Sequence, residues 1–225
     1  MKVITKPVGK RERKSAKIKL DIMFSSMELI GNQSFKDLYV DDICERAGVS
    51  KVTLFKYFPQ KEDILLYYMR IWSLDRAVEL YHQPRTGLKG IYFLFDRMAE
   101  AFEKYPGLAL NVISYWTSAR RPPSAFPLKP LERKILYPKE ENLEDIQVFT
   151  VPQLLEKFLL DAIMNREIHT VSDARELSNL FMSLLYGTLI TAHLRQLSPL
   201  RMVFRKNIDM TLKGLQTPGT YSSMR

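Results

Sequence analysis

The segment 40–61, VDDICERAGVSKVTLFKYFPQK, constrains the fold more than any other part of the chain. Val40, Ile43 and Ala47 are spaced i, i+3 and i+7, which predicts one apolar face on a short helix. Gly48 then stands where this helix must end and the chain must turn, a position that favours a residue able to adopt positive φ. The segment therefore begins with a helix and a tight turn.

A second short helix follows the turn. Ser50 is a good N-cap for it, and Pro59 limits its length to about two turns. Leu54 and Phe58 are four residues apart, which predicts an apolar side that faces the core. Because both helices are too short to be stable alone, they predict a helix-turn-helix whose second helix, 50–58, is presented to a DNA major groove.

The charge of the chain also favours an anionic partner. Its 34 Lys and Arg residues outnumber its 25 Asp and Glu residues, which gives a net charge of +9. Eight of the basic residues lie within the first 19 positions, where Glu12 is the one acid. We therefore expect residues 1–14 to form a flexible basic arm that contacts DNA phosphates and contributes long-range attraction. The alternative is a tail that only improves solubility.

The run 47–65, AGVSKVTLFKYFPQKEDIL, resembles the TetR family of bacterial transcriptional regulators. The resemblance extends back through LDIMFSSMELIGNQSFKDLYVDDIC and covers about 18–66. It implies an all-α fold with an N-terminal three-helix DNA-binding domain, 15–63, and a larger C-terminal helical domain for ligand binding and dimerisation, 64–216. We interpret 217–225 as a frayed tail.

The resemblance also implies which residues meet DNA. Three positions depart from the family pattern: Ser34 stands where Gly is common, Tyr39 replaces the usual capping Ser or Thr, and Phe55 replaces a Tyr whose hydroxyl meets a phosphate. The hydroxyl of Tyr39 is still able to reach a phosphate, whereas Phe55 has no donor and is left out. The second helix lacks Arg, so base recognition depends on Lys, Thr and methyl contacts or on DNA shape. The implied DNA-binding residues are Tyr39, Ser50, Lys51, Val52, Thr53, Lys56, Tyr57 and Lys61.

Apolar periodicity predicts helices through the rest of the chain. An aromatic-rich pair of helices between Leu88 and about Ala119 can line a cavity for an apolar or aromatic ligand, although core packing explains the same pattern. Asp96 and His193 are candidate polar groups in such a cavity. The candidate ligand-binding residues are Tyr92, Phe95, Asp96, Phe102, Tyr115, Trp116 and His193.

Two segments of the C-terminal half are candidates for contact with a partner subunit. The helix that begins near Asp173 is apolar nearly all round, which predicts burial on more than one side. The proline-rich segment 120–150 is predicted to be a long loop with one short helix; it is a candidate lid or arm onto a partner subunit, and the alternative is a mobile loop with neither role. The candidate dimer-interface residues are Leu177, Phe181, Leu184, Leu185, Thr188 and Leu189.

Catalytic and metal-binding functions have little support in the sequence. The histidines His82, His169 and His193 are scattered, and no phosphate loop, metal-spaced Cys/His set or nucleophile motif is present. We predict no enzyme activity, no cofactor and no metal. The single cysteine, Cys44, and the lack of an apolar run near the about 20 residues of a membrane span favour the cytoplasm.

Two functions remain after these exclusions. The first is a homodimeric regulator of transcription that binds double-stranded DNA, responds to a small-molecule effector and most often represses, as the family resemblance implies. The alternative is a helix-turn-helix adaptor whose C-terminal domain binds another protein instead of a small ligand.

Overall fold

A computed structural model describes residues 9–30, 35–118, 127–170 and 172–216. Within these ranges the secondary structure is helical, so the predicted all-α fold is confirmed. A short 3₁₀ turn at Phe35–Asp37 follows the first helix. The α-helices are α1 Lys10–Ile30, α2 Val40–Ala47, α3 Lys51–Tyr57, α4 Asp63–His82, α5 Gly87–Lys104, α6 Pro106–Ser118, α7 Pro130–Leu136, α8 Val151–Met164, α9 Ala174–Arg195 and α10 Leu200–Gln216.

Helix α1 begins at Lys10, five residues before Ser15, where the predicted DNA-binding domain starts. The Gly9 carbonyl accepts hydrogen bonds from the backbone N–H groups of Glu12 and Arg13, both at 3.1 Å. Lys, Arg and Glu are good helix formers, and an acid in the first turn complements the helix dipole. Residues 10–14 therefore belong to a helix and not to a flexible arm. Residues 1–8 of that predicted arm and the predicted tail at 217–225 lie outside the described residues.

The helix-turn-helix has the local geometry that its sequence predicts. Gly48 ends α2 in the left-handed region, with φ of 63°, and Val49 N–H donates to the Cys44 carbonyl at 2.9 Å. Ser50 caps α3, because its hydroxyl accepts a hydrogen bond from the Thr53 N–H at 3.2 Å. Gly48 and Ser50 therefore predicted the turn correctly from the sequence.

The N-terminal core extends beyond the predicted domain of 15–63. Its centre is made by buried apolar side chains of α1, α2 and α3, among them Ile22, Ile43 and Leu54. Tyr67 and Ile71 of α4 also belong to it, as do Leu108 and Val112 at the start of α6. A domain boundary near 63–65 stays a prediction, and the packing of α6 ties the C-terminal half to the DNA-binding half.

The C-terminal core is formed by α5, α8, α9 and α10. Phe95 of α5 packs edge-to-face against Phe181 of α9 and Phe204 of α10, with ring centroids 6.2 and 5.4 Å apart. Gly90 brings α5 close to α8, since a Cβ there would lie 2.4 Å from the Phe158 ring. These aromatic side chains fill the space between the four helices.

Helix α9 has two apolar sides, of which the protomer buries one. Leu177, Phe181, Leu185, Thr188 and Leu189 lie in the chain's own core, and each is 5% exposed or less. The opposite side carries the exposed side chains Leu180, Ile190 and Leu194. Within the described part of the protomer, α9 is therefore buried on one side, not on more than one as the sequence predicted. By length and composition alone α9 is also long enough to cross a membrane, a test that the core helix of a soluble protein passes as well.

The described part of the proline-rich segment is docked on the rest of the protein. Helix α7 packs against α1, and Leu143 and Ile146 pack against Leu74 and Val78 of α4. The predicted short helix is present as α7. Because this part of the segment is packed against α1 and α4, its described portion is not a free lid.

Candidate DNA-binding site

The outward side of α3 is a solvent-exposed surface with an apolar centre. Val52 is 81% exposed there, Lys56 is exposed beside it, and Phe55 is 43% exposed. The opposite side is fixed, because Leu54 and Phe58 are fully buried. A short helix with one side anchored and the other free has the arrangement needed to enter a major groove.

The polar residues at the start of α3 already contact groups within the chain. Lys51 Nζ lies 2.8 Å from Asp41 Oδ1 of α2, and this hydrogen bond raises the pKa of Lys51. Since both side chains are exposed, the pair is weak, and a DNA phosphate is able to replace the carboxylate. The hydroxyls of Ser50 and Thr53 are 3.0 Å apart, so they hold one another at the edge of the exposed face.

Tyr57 and Lys61, the predicted contacts to the DNA backbone, support the structure of the domain. The Tyr57 hydroxyl donates to Ser15 Oγ of α1 at 2.9 Å, and the Tyr57 side chain is half-buried. Lys61 Nζ donates to the carbonyls of Phe35 and Leu38 at 2.8 and 2.9 Å. Neither residue lies on the exposed face with Val52, and their DNA contacts stay a prediction.

Tyr39 precedes α2 in an extended conformation, and its side chain makes no capping hydrogen bond. It is 73% exposed, so its hydroxyl is accessible at the start of the helix-turn-helix. This placement agrees with a side chain that reaches outward to a phosphate instead of capping the helix.

The first turns of α1 add a basic surface, of which residues 10–14 were predicted to belong to a flexible arm. Its members are exposed, and the hydrogen bond between Tyr57 and Ser15 fixes this part of α1 beside the end of α3. The run of Lys, Arg and Glu was the signal for a helix here. This α1 basic surface consists of Lys10, Arg11, Arg13, Lys14 and Lys17.

The described candidate ligand-binding residues differ in their surroundings. Phe95 is 1% exposed within the C-terminal core, and the Tyr92 hydroxyl donates to Asp209. Phe102 packs at the edge of the same core, while Tyr115 is half-buried and His193 is exposed. The Trp116 side chain lies outside the described residues. Sequence spacing identified aromatic residues but not the directions in which they point.

Asp96 has a structural partner in place of a ligand. Its carboxylate accepts hydrogen bonds from Arg205 of α10 at 3.0 and 2.6 Å, and Arg201 lies 2.9 Å away. Burial alone would raise the pKa of Asp96, but the two arginines outweigh burial and hold that pKa below its ordinary value. The ion pair joins α5 to α10.

A cleft of about 1160 Å³ lies between α1, the end of α3, and α7 with the turn that follows it. Arg11, Ser15 and Lys19 line it from α1, and Lys56 and Tyr57 line it from α3. We call it the α1–α7 cleft. Most of the residues that line it are charged, and none of them is among the predicted ligand-binding residues.

Catalytic chemistry gains no support from the described ranges. No group of three or more His, Cys, Asp and Glu side chains in them is arranged to hold a metal ion. Cys44 is buried, and burial raises the pKa of its thiol, which disfavours the reactive thiolate.

Comparison with known proteins gives a sequence match for part of the N-terminal half and a fold match for most of the chain. No curated protein sequence matches the chain. The solved structure of FadR from Bacillus subtilis with stearoyl-CoA is 19% identical, has a TM-score of 0.59, and the match covers 88% of this chain and 99% of that one. FadR from Thermus thermophilus with lauroyl-CoA is 18% identical with a TM-score of 0.60, covering 92% and 100%. A putative regulator from Saccharomonospora viridis with choline is 19% identical with a TM-score of 0.55, covering 86% and 96%.

At these identities the structural matches establish a shared fold. The sequence match is located in the N-terminal half, where residues 22–68 fit the family described as bacterial regulatory proteins, tetR family. That range contains α2, the Gly48 turn and α3, together with the first turns of α4. Residues 22–68 therefore match the TetR family of bacterial regulatory proteins, and the chain as a whole shares its all-helical fold with solved regulators.

Proposed function

We propose that the chain is a dimeric repressor that binds a specific DNA operator and is released from it by a small, largely apolar or aromatic ligand. The observation that carries this proposal is the presentation of α3. Its inner side chains are fully buried, while Val52 at the centre of its outer face is 81% exposed. An apolar side chain so exposed, with basic residues around it, suits contact with thymine methyl groups and phosphates.

The dimer interface that we propose lies on the exposed side of α9. Leu180, Gly187 and Leu194 are spaced seven residues apart on that side, and a Cβ at Gly187 would meet no atom within 4 Å. A stripe with this spacing packs well against a second helix. Met202 and Met210 of α10, the helix that packs against α9, are also exposed apolar side chains, at 67% and 62%. A two-fold dimer would read two half-sites about 34–36 Å apart.

Leu194→Glu tests this interface. Leu194 is 75% exposed in the protomer, so the change leaves the monomer folded but places a charge in the proposed contact. Sedimentation velocity should show the dimer dissociation constant rising about 30-fold or more, as for an interface hot spot of about 2 kcal/mol. Met164→Glu is the matched control, because Met164 of α8 is equally exposed at 72%. Equal dissociation constants for the two variants would contradict the interface.

The ligand part of the proposal rests on the apolar C-terminal helices and on the acyl-CoA complexes of the two FadR proteins. A ligand releases DNA only if it binds the DNA-incompetent state more tightly. We expect lauroyl-CoA to raise the melting temperature and to lower operator affinity, and choline to do neither. Release by choline without release by lauroyl-CoA would contradict a largely apolar ligand.

DNA binding itself is tested by fluorescence anisotropy on the DNA immediately upstream of the gene, with a scrambled duplex as competitor. We expect binding that survives the competitor and weakens as salt rises. Binding that disappears equally on both duplexes would contradict sequence-specific recognition at that site. If the protein stays bound to the operator in the presence of every apolar ligand tried, the result would favour the protein-binding adaptor.

The α1 basic surface gives a separate prediction about salt dependence. Changing Lys10, Arg11, Arg13 and Lys14 to Gln should reduce the slope of log affinity against log salt by about 0.9 for each phosphate that the variant no longer neutralises. Lys206→Gln, an exposed change on α10, should leave the slope unchanged. If the slope stays the same in the four-residue variant, this surface does not bind DNA.

A further inference from the structure

A buried ion pair joins the DNA-binding half to the segment after α6. Lys19 Nζ of α1 donates to both carboxylate oxygens of Glu132 of α7, at 3.1 and 3.3 Å. The two residues are 113 positions apart, and they are only 6% and 2% exposed. Lys19 Nζ also lies 3.9 Å from the centre of the Tyr67 ring of α4. Helices α1, α4 and α7 therefore meet at one charged contact.

A hydrogen bond within α7 also fixes the position of the Glu132 side chain. Its Oε2 accepts a hydrogen bond from the Lys129 N–H at 2.9 Å, which satisfies a free backbone donor at the start of α7. Pro130 fixes the first position of the same helix. The carboxylate thus cannot leave Lys19 without disturbing the first turn of α7.

The contact lies one helical turn from the attachment of the recognition helix. Ser15, which accepts the hydrogen bond from Tyr57 of α3, precedes Lys19 by four residues and so lies on the same side of α1. Ser15, Lys19 and Glu132 all line the α1–α7 cleft. A continuous series of contacts runs from α7 through α1 to the end of α3.

Burying the charges of Lys19 and Glu132 carries a desolvation penalty that offsets their attraction. Burial lowers the pKa of Lys19, and Glu132 opposes that shift. Apolar side chains of similar volume often give equal or greater stability, but they do not fix one relative position of the helices as a hydrogen-bonded pair does. Breaking the pair on one side leaves an uncompensated buried charge.

We propose that Glu132 is a positioning residue for DNA binding: through Lys19 it fixes α1, and through the contact of Ser15 with Tyr57 it fixes the recognition helix. The inference rests on the proposed DNA-binding function and adds a residue outside the family-matched range of 22–68.

The test compares Glu132→Gln with Asp96→Asn in the full-length protein. Both changes remove a buried carboxylate that pairs with a basic residue of another helix, but Asp96 joins α5 to α10 in the C-terminal core. The DNA probe is a duplex selected from a random library by the wild-type protein. Affinity is measured below the melting temperatures of both variants. We expect about a 10-fold loss of affinity for Glu132→Gln, within the range of typical couplings, and no loss for Asp96→Asn.

Two further variants separate positioning from stability. Lys19→Arg keeps the charge and should lose less affinity than Glu132→Gln, because a guanidinium still pairs with the carboxylate. Lys19→Met combined with Glu132→Gln removes both charges and should recover the melting temperature, while DNA affinity stays low. Recovery of affinity together with stability would reduce Glu132 to a structural role and overturn the inference.

The outcomes also distinguish this inference from the function on which it rests. If the wild-type protein selects no duplex, the proposed function fails and the inference fails with it. If the wild-type protein selects a duplex and Glu132→Gln binds it equally well, only the inference fails. Equal losses for Glu132→Gln and Asp96→Asn would likewise overturn it.

Discussion

Val52→Glu is expected to abolish sequence-specific DNA binding, with an affinity loss of about 100-fold or more, without weakening the fold. Val52 is 81% exposed at the centre of the outward face of α3, so the new carboxylate is fully hydrated in the free protein. In the complex it would be pressed against DNA phosphates, and like charges in contact cost several kcal/mol. A cost of about 3 kcal/mol corresponds to a loss of about 100-fold.

Two control variants make this result specific. Val52→Ala removes apolar contact without adding charge, and it should lose about 1 kcal/mol or less, since a methyl contact contributes little. Leu160→Glu adds the same charge at a half-exposed position of α8, far along the chain from α3. Anisotropy on the operator gives the affinities, and circular dichroism checks the helical content. If Val52→Glu retains at least a third of wild-type affinity, α3 does not enter the groove with this face.

Leu159→Ala is expected to lower the free energy of unfolding by about 3 kcal/mol, whereas Leu160→Ala should change it by about 0.5 kcal/mol or less. The two residues are neighbours of the same type on α8, and they are 0% and 50% exposed. The first change leaves a cavity in the core among α5, α8 and α9, while the second removes a side chain that water already surrounds. The comparison isolates burial from residue type and helix propensity.

Urea denaturation followed by circular dichroism measures both values. Because dimerisation would add to the apparent stability, all variants must be compared at the same protein concentration. A similar loss for both leucines would mean that the outer side of α8 is covered in the assembly. No loss for Leu159→Ala would contradict the packing of the C-terminal core.

Local features of the sequence predicted the DNA-binding half well. Gly48 and Ser50 act through their own backbone and nearest neighbours, so their identities alone defined the turn and the start of α3. The charged residues 10–14 were not predicted to be helical because they show no apolar periodicity, although Lys, Arg and Glu favour helix. A helix formed mainly by Lys, Arg and Glu has no apolar stripe to reveal it.

Features that depend on distant parts of the chain were not predictable in this way. Helix α9 has apolar residues on two sides, and periodicity cannot tell which side the protomer buries. The predicted interface residues, such as Phe181 and Leu185, proved to lie on the buried side. The contact between Lys19 and Glu132 spans 113 positions, and neither residue carries a local sign of its partner. For the aromatic residues between 92 and 116, the sequence likewise does not show the direction in which each side chain points.

The entry of α6 into the N-terminal core has a consequence for how the protein unfolds and how it can be divided. Leu108 and Val112 are 2% and 6% exposed against side chains of α1–α4, so a fragment that ended after the family-matched range would expose the apolar surface they cover. Such a fragment would lack part of its own interior and fold poorly. The two halves should therefore melt in one cooperative transition, and chimeras that exchange the helix-turn-helix between relatives should keep α6 with it.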